Sequence, residues 1–347
     1  MLETIYVTRH GFRSNWLVDP SNGSYTSFLK SPTGLAADPT LTAHGVDQAN
    51  QLAAKLLTLD PPVERVYSSM YYRCLQTIEP FVREAQRRRQ RRTPRTQQTQ
   101  PQAAEEPGTG GRSPPLLKIR GETGLGEWYG SADFEHPAPA SIAILDPLFP
   151  DLIESDYEPM VTPNRKGEGI DELHDRVAAA MEAVVAQCDR DGVRTVLLCS
   201  HAAVIIALGR VLTGEMPESI ETDDFQCFTC GLSEYRRRGD FGGQRSDVVA
   251  SGRPTAVSKT NHGSKDANVN DWRGGRGVSG GWICLLNSDC KHLSLGEERG
   301  WRFLGDESFK SPETGQSMLG STVAPGSVSQ DRDKSGRSQE EATRGKL

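Results

Sequence analysis

The chain has 347 residues, a formal net charge of −6, 35% hydrophobic residues, 35 glycines and 21 prolines. The net acidity excludes a uniformly basic nucleic-acid coat, and the small apolar fraction beside so much Gly and Pro implies one folded core plus stretches too polar to fold. Seven scattered cysteines fit a reducing compartment better than a disulfide framework; the start, with Glu3 and no apolar run, argues against a secretion signal, and the longest apolar run, residues 202–208, is far short of a membrane span.

In chain order, residues 4–8 are a short β-branched strand leading into a loop at Arg9-His10-Gly11. Residues 43–59 carry Val46, Ala49, Leu52, Ala53 and Leu56 at helical spacing, with Thr42 as the N-cap. Residues 63–67 read as a strand and 70–85 as a helix interrupted or bent near Pro80. Residues 83–115 are rich in Arg, Gln, Thr, Pro and Gly and lack the apolar anchors needed to offset backbone ordering. A strand at 116–120 follows, then an amphipathic helix at 169–188 (Ile170, Leu173, Val177, Met181, Val184, Val185), a buried strand at 195–199 and a helix at 202–212. Late strands at 230–235 and 282–287 enclose a Gly/Ser/Arg/Asp-rich segment, 236–281, and the chain is again polar from 305. This alternation predicts an α/β three-layer sandwich around a mostly parallel central sheet, with the late strands extending one edge. The expected organisation is one domain over 1–304, with low-complexity insertions at about 84–115 and 236–281 and a disordered tail over 305–347.

Four predicted strand ends deliver reactive side chains. Arg9-His10 follows the first strand, Arg73 comes after Ser68-Ser69 at the second, Glu127 lies in Gly126-Glu127-Trp128-Tyr129-Gly130 after the third, and Ser200-His201 closes the central strand. Open α/β sheets place their ligands at the carboxyl ends of such strands. Cys227-x-x-Cys230 lacks a second ligand pair, so two strand or loop cysteines are a better reading than zinc. His44, His136, His174, His262 and His292 read as structural, His174 on the polar face of its helix; Trp16, Trp128 and Tyr129 suit either a pocket wall or core packing. The run Arg87-Arg88-Arg89-Gln90-Arg91-Arg92, with Arg95 beyond, suits nuclear import or a nucleic-acid contact, or is a solvated loop with no partner.

These motifs resemble the histidine phosphatase (phosphoglycerate-mutase-like) superfamily. The resemblance rests on Arg9-His10-Gly11, on Ser69 through Arg73-Cys74-Leu75-Gln76-Thr77, on Glu127-Trp128-Tyr129-Gly130, on Ser200-His201, and on Leu41-Thr42, Gly45 and Gln48-Ala49. It implies a phosphate monoesterase that works without metal or cofactor, through a phosphohistidine at His10. Arg9 and Arg73 would offer planar forks to phosphate oxygens, and those cations would keep His10 neutral. The second ring nitrogen of His10 would be fixed by a hydrogen bond, expected to reach a backbone carbonyl, and Gly11 would let the backbone pass close to phosphate. His201 would add a donor at a helix N-terminus, and Glu127 would protonate the leaving oxygen, worth roughly 10²–10⁴-fold in rate. Arg13 completes the R-H-G-x-R string of some relatives and is expected to touch phosphate, with a solvated loop arginine as the alternative; Glu122 is the runner-up acid. Ala202 after Ser200-His201 departs from the glycine of the mutases, and no segment resembles their capping insertions, so phosphoglycerate mutase activity is not expected.

Within the superfamily, Ile5 to Leu17, Leu148-Phe149-Pro150, Thr162-Pro163-Asn164 and Leu295-Gly296-Glu297-Glu298 are similar to the phosphatase-like subunits of fungal RNA polymerase III transcription factor IIIC, or tau. That narrower likeness implies transcription factor IIIC subunits as partners and an assembly or docking role; the second domain of those subunits is not visible here. A phosphorylated small molecule or phosphoprotein is the expected substrate in the cytoplasm or nucleus, with no membrane and no direct nucleic-acid contact by the folded domain.

Overall fold

β1 (Thr4–Arg9) and β6 (Thr195–Ser200) are buried at every position, the signature of strands covered on both faces, and they pair in parallel with Ile5 opposite Val196. They lie at the centre of the sheet in the computed structural model, which describes residues 1–92, 116–239 and 271–305. β4 (Arg65–Ser68) runs parallel to β6, and β5 (Ile119–Gly121) parallel to β4. On the other side of β1, β7 (Leu232–Arg237) and β8 (Trp282–Asp289) add antiparallel, giving the order β5-β4-β6-β1-β7-β8. The expected mostly parallel sheet with two late strands on one edge is what the chain forms.

Helices cover both faces. On one, α4 (Ile170–Asp191) and α5 (Ala202–Thr213) pack Leu173, Val177, Met181, Val204 and Leu208 against Ile5 and Val7. On the other, α1 (Ala43–Leu56) and α2 (Tyr72–Arg92) pack Leu52, Leu75, Ile78 and Val82 against Tyr6 and Leu197. Thr42 caps α1 as expected, its side chain accepting from Gly45 N. The Glu172 carboxylate accepts from Gly169 N at the start of α4, and left-handed Gly192 ends it.

Several expectations need correction. α2 is one helix that contains Pro80 and runs to Arg92, so residues 83–92 do not belong to an unfolded insertion. Glu79–Arg83 and Glu84–Arg88 pairs at i,i+4 support it, and Gln86 donates to the carbonyls of Leu117 and Asp151. The basic run through Arg92 is therefore helical, with Arg87 and Arg88 exposed. Residues 271–281 also belong to the fold: Trp272 and Val278 are core residues, and His174, far from being on a polar face, is buried and stacked on Trp272. The hairpin of β2 (Trp16–Asp19) and β3 (Ser24–Ser27) and the short α3 (Ile142–Leu145) were not expected. Residues 93–115, 240–270 and 306–347, including Arg95, His262 and the expected tail, lie outside the described residues.

Candidate active site

Because β1, β4, β5 and β6 are parallel, their carboxyl ends share one edge, and His10, Ser69, the 121–127 turn and His201 gather there. His10 is buried, its ring 5.4 Å from that of His201. Its Nδ1 lies 2.9 Å from the carbonyl oxygen of Gly11. A carbonyl only accepts, so Nδ1 carries the proton and a neutral ring leaves its lone pair on Nε2. Burial, and then the Arg73 and Arg9 guanidiniums, hold the His10 pKa well below the ordinary histidine value. The expected carbonyl anchor is thus the next residue along the chain.

Gly11 is also constrained by packing. A Cβ there would come within 2.8 Å of Gly45 O, so glycine is needed for the approach of the first loop to α1. Its N–H donates to Thr77 Oγ1, and that hydroxyl donates to Arg73 O, which ties the His10 loop to α2.

Arg73 is fully buried at the centre of the cluster. It donates to Glu127 Oε2 at 2.9 Å on one side and to Asp38 Oδ1 at 3.2 Å on the other. Asp38 was not singled out in the sequence; nothing in its loop distinguishes it. Burial lifts its pKa to about 6 despite Arg73, and Tyr72 N also donates to it. Glu127 Oε2 lies 3.2 Å from His201 Nδ1 as well. Burial alone would raise the Glu127 pKa, but the cations His201, Arg73 and Arg13 overcome it and hold the carboxyl far below the usual range. His201 Nε2 meets Ser69 Oγ at 2.8 Å. Burial opposes its charge, yet the neighbouring Cys74 sulfur and the Glu127 carboxylate raise its pKa.

Arg9 and Arg13 complete a small pocket of about 270 Å³ with His10, Glu127, Trp128 and Trp301. The Arg13 guanidinium rests 3.8 Å from the centre of the Trp16 ring and is buried, not a solvated loop arginine. Arg9 Nη1 donates to the carbonyls of Cys227 and Arg299, so part of its fork anchors the 297–303 segment over the pocket. The Nε atoms of Arg9 and Arg73 are buried without a hydrogen-bond partner. His201 is the N-cap of α5 without a side-chain cap bond, and Ala202 and Ala203 line the pocket at the helix start.

Glu122 faces away from this cluster: its carboxylate accepts from Tyr157 Oη and from the N–H groups of Gly124, Met160 and Val161. Reactive nitrogen and oxygen atoms of His10, Glu127 and His201 lie within 4.8 Å of one another. A divalent ion there would sit against the Arg73 guanidinium already bound to Glu127, so the donor set suits an anion better than a metal. Cys227 and Cys230 are buried thiols in the loop before β7.

Residues 5–94 and 92–245 match the family model of the histidine phosphatase superfamily (branch 1). The chain is 29% identical over 315 residues to the transcription factor tau 55 kDa subunit of Saccharomyces cerevisiae, covering 87% of this chain and 59% of that protein. It is 26% identical over 194 residues to the ecdysteroid-phosphate phosphatase of Drosophila melanogaster, covering 54% of this chain and 22% of that protein. The chain thus spans less than two thirds of the length of either curated relative. Among solved structures, the ecdysone phosphate phosphatase from Bombyx mori in complex with tungstate is similar, with 20% identity and a TM-score of 0.46, over 77% of this chain and 99% of that one.

Proposed function

Since the chain belongs to the histidine phosphatase superfamily (branch 1), we propose that it hydrolyses phosphate monoesters through a phosphohistidine on His10, without a metal ion or cofactor. The observation that carries this reading is the Nδ1–H of His10 donating to Gly11 O, which leaves Nε2 unprotonated among buried cations.

In this reading Nε2 attacks phosphorus and the ester P–O bond breaks. Arg9, Arg13, Arg73 and His201 hold the phosphate oxygens, with the N-terminus of α5 adding its free N–H groups. Glu127 gives a proton to the leaving oxygen and then takes one from the water that cleaves the P–N bond. Arg73 and His201 keep Glu127 ionised. An entering phosphate draws those two cations to itself and places negative charge beside the carboxylate, which raises its pKa toward that of a usable acid.

A second reading is favoured by the 29% identity to the tau 55 kDa subunit over most of this chain. In it the domain is a docking module of a nuclear transcription factor IIIC assembly of fungal type, with the other subunits as partners. The two readings are compatible. No helix among the described residues is long and apolar enough to cross a membrane. His10→Ala tests the first: the fold should persist and hydrolysis should stop. Retention of more than a few per cent of turnover would remove His10 from its role.

A further inference from the structure

A second cavity, of about 590 Å³ counted with the solvent at its mouth, shares Glu127 with the phosphate pocket. Glu127 borders both spaces, so a leaving oxygen within reach of its carboxylate carries its substituent directly into this cleft. The walls are Met70, Tyr71, Tyr129, Pro137, Ala138 and Pro163, contributed by the start of α2 and by the loops between β5 and α4.

The polar groups in these walls are already spent on the protein. Tyr129 Oη donates to Tyr71 Oη, and Tyr71 Oη donates to Pro137 O, so both phenols turn their hydroxyls into the wall and offer rings to the space. Burial pushes both phenol pKa values up, so both stay neutral. His136 stacks on Tyr129 at 4.8 Å, with one ring nitrogen on Gly130 O and the other on Tyr25 Oη, and burial lowers its pKa. Charges are matched in the same way. Arg165 pairs with Glu135 and donates to His136 O, and Glu168 pairs with Arg176, which also donates to Gly124 O and Gly126 O. Glu127, the remaining acid in these walls, is itself held by Arg73 and His201. The polar side chains of Thr162 and Asn164 stand at the exposed rim.

We propose that this cleft receives the alcohol half of the ester and selects a bulky, apolar, uncharged leaving group over sugar, nucleotide or amino-acid phosphates. The proposal rests on the phosphatase reading above. A charged or heavily hydroxylated alcohol entering the cleft loses water and finds no partner for its polar groups, whereas an apolar one gains by burial. In the reaction the P–O bond of the ester breaks, a His10 Nε2–P bond forms, and the departing oxygen takes the proton of Glu127 beside the cleft.

The test compares alkyl phosphates of similar leaving-group acidity: naphthylethyl phosphate against ethyl phosphate, glycerol phosphate and phosphoserine. The full chain should turn over the naphthylethyl ester with a kcat/KM on the order of a hundredfold above the other three. Ala138→Asp and, separately, Ala138→Trp should each cut the naphthylethyl-to-ethyl ratio at least tenfold; the residue is half-exposed, and thermal melting checks that each variant folds. Equal kcat/KM values, or a preference for glycerol phosphate or phosphoserine, would overturn the cleft's role and leave the phosphatase reading standing. Loss of turnover on every ester would instead overturn the phosphatase reading. The cleft would then be judged by the fluorescence of naphthylethanol added to the protein: saturable binding, weakened by Ala138→Trp, supports it, and no binding at millimolar alcohol rejects it.

Discussion

Replacing Glu127 by Gln keeps the shape of the side chain and removes one negative charge from the middle of the site. Its Oε2 lies 2.9 Å from Arg73 and 3.2 Å from His201 Nδ1, and a phosphate held beside the reactive atoms of His10, Glu127 and His201, which lie within 4.8 Å of one another, has its charge centred roughly 5 Å from that carboxylate. At an effective dielectric of about 20, each unit of anion charge is repelled by about 3 kcal/mol. Relaxation reduces this, so Glu127→Gln should bind vanadate or phosphate about ten- to a hundredfold more tightly at low salt. Without an anion the variant should melt lower, because breaking a buried ion pair costs about 3–5 kcal/mol, and the loss should be at the low end because Arg73 keeps Asp38. Turnover should move the opposite way from affinity: alkyl phosphates should slow by roughly 10²–10⁴-fold, and activated aryl phosphates, which need little protonation, far less. Calorimetry with vanadate, melting with and without phosphate, and kinetics on both esters read the three effects. Unchanged anion affinity in a folded variant would mean that the carboxylate does not face the anion, and equal loss on both esters would take the acid role from Glu127.

Other outcomes follow from the same cluster. Arg73→Ala, which also leaves Asp38 and Glu127 without their shared cation, should abolish the phosphate-induced rise in melting temperature, while Arg13→Ala should reduce it; an unaltered rise in Arg73→Ala would remove that residue from the anion site. His10 has a folded pKa below its unfolded one, so the unfolded chain takes up a proton as pH falls below about 6.5 and the folded chain does not. The residue therefore subtracts stability on the acid side, and denaturant unfolding of His10→Gln should gain on wild type as pH falls from about 7.5 to 5, by up to about 1.4 kcal/mol per unit; a constant difference would contradict a buried neutral ring. Turnover should survive EDTA, and loss on chelation that a divalent ion restores would refute the metal-free reading.

Much of this arrangement could be read from the sequence because its determinants are local. Strands β1 and β6 announce themselves as continuous apolar runs, and a parallel sheet then brings whatever follows them to one edge. The chain segments carrying His10, Arg73, Glu127 and His201 were legible for that reason. What escaped depends on distant contacts. Asp38 lies in a loop whose sequence says nothing of Arg73, 35 residues away. His174 looked polar because its covering partner, Trp272, comes from a Gly-rich stretch judged unable to fold. The extension of α2 through Arg92 rests partly on Gln86 reaching Leu117 and Asp151, contacts that no helical periodicity reveals. The close approach of α1 to Gly11 is likewise a distant contact that its own motif does not reveal.

The buried charge also bears on the choice between enzyme and docking module. Arg9, Arg13, Arg73, His201, Glu127 and Asp38 crowd one sheet edge, and all are desolvated or nearly so. Such clusters are costly: well-packed apolar residues of similar volume are often neutral or more stabilising by about 1–4 kcal/mol. A surface that only docks other subunits needs none of this, because its contacts lie outside the domain. Arg9 and Arg73 moreover leave buried Nε donors without partners, which is itself costly. On the proposed reading the arrangement is an anion site whose repulsion is relieved on binding, and docking would concern a different face of the same domain. If that is so, a catalytically silent His10→Ala chain should still co-purify with any partner subunits. Loss of the partner together with phosphate binding would tie both functions to one site.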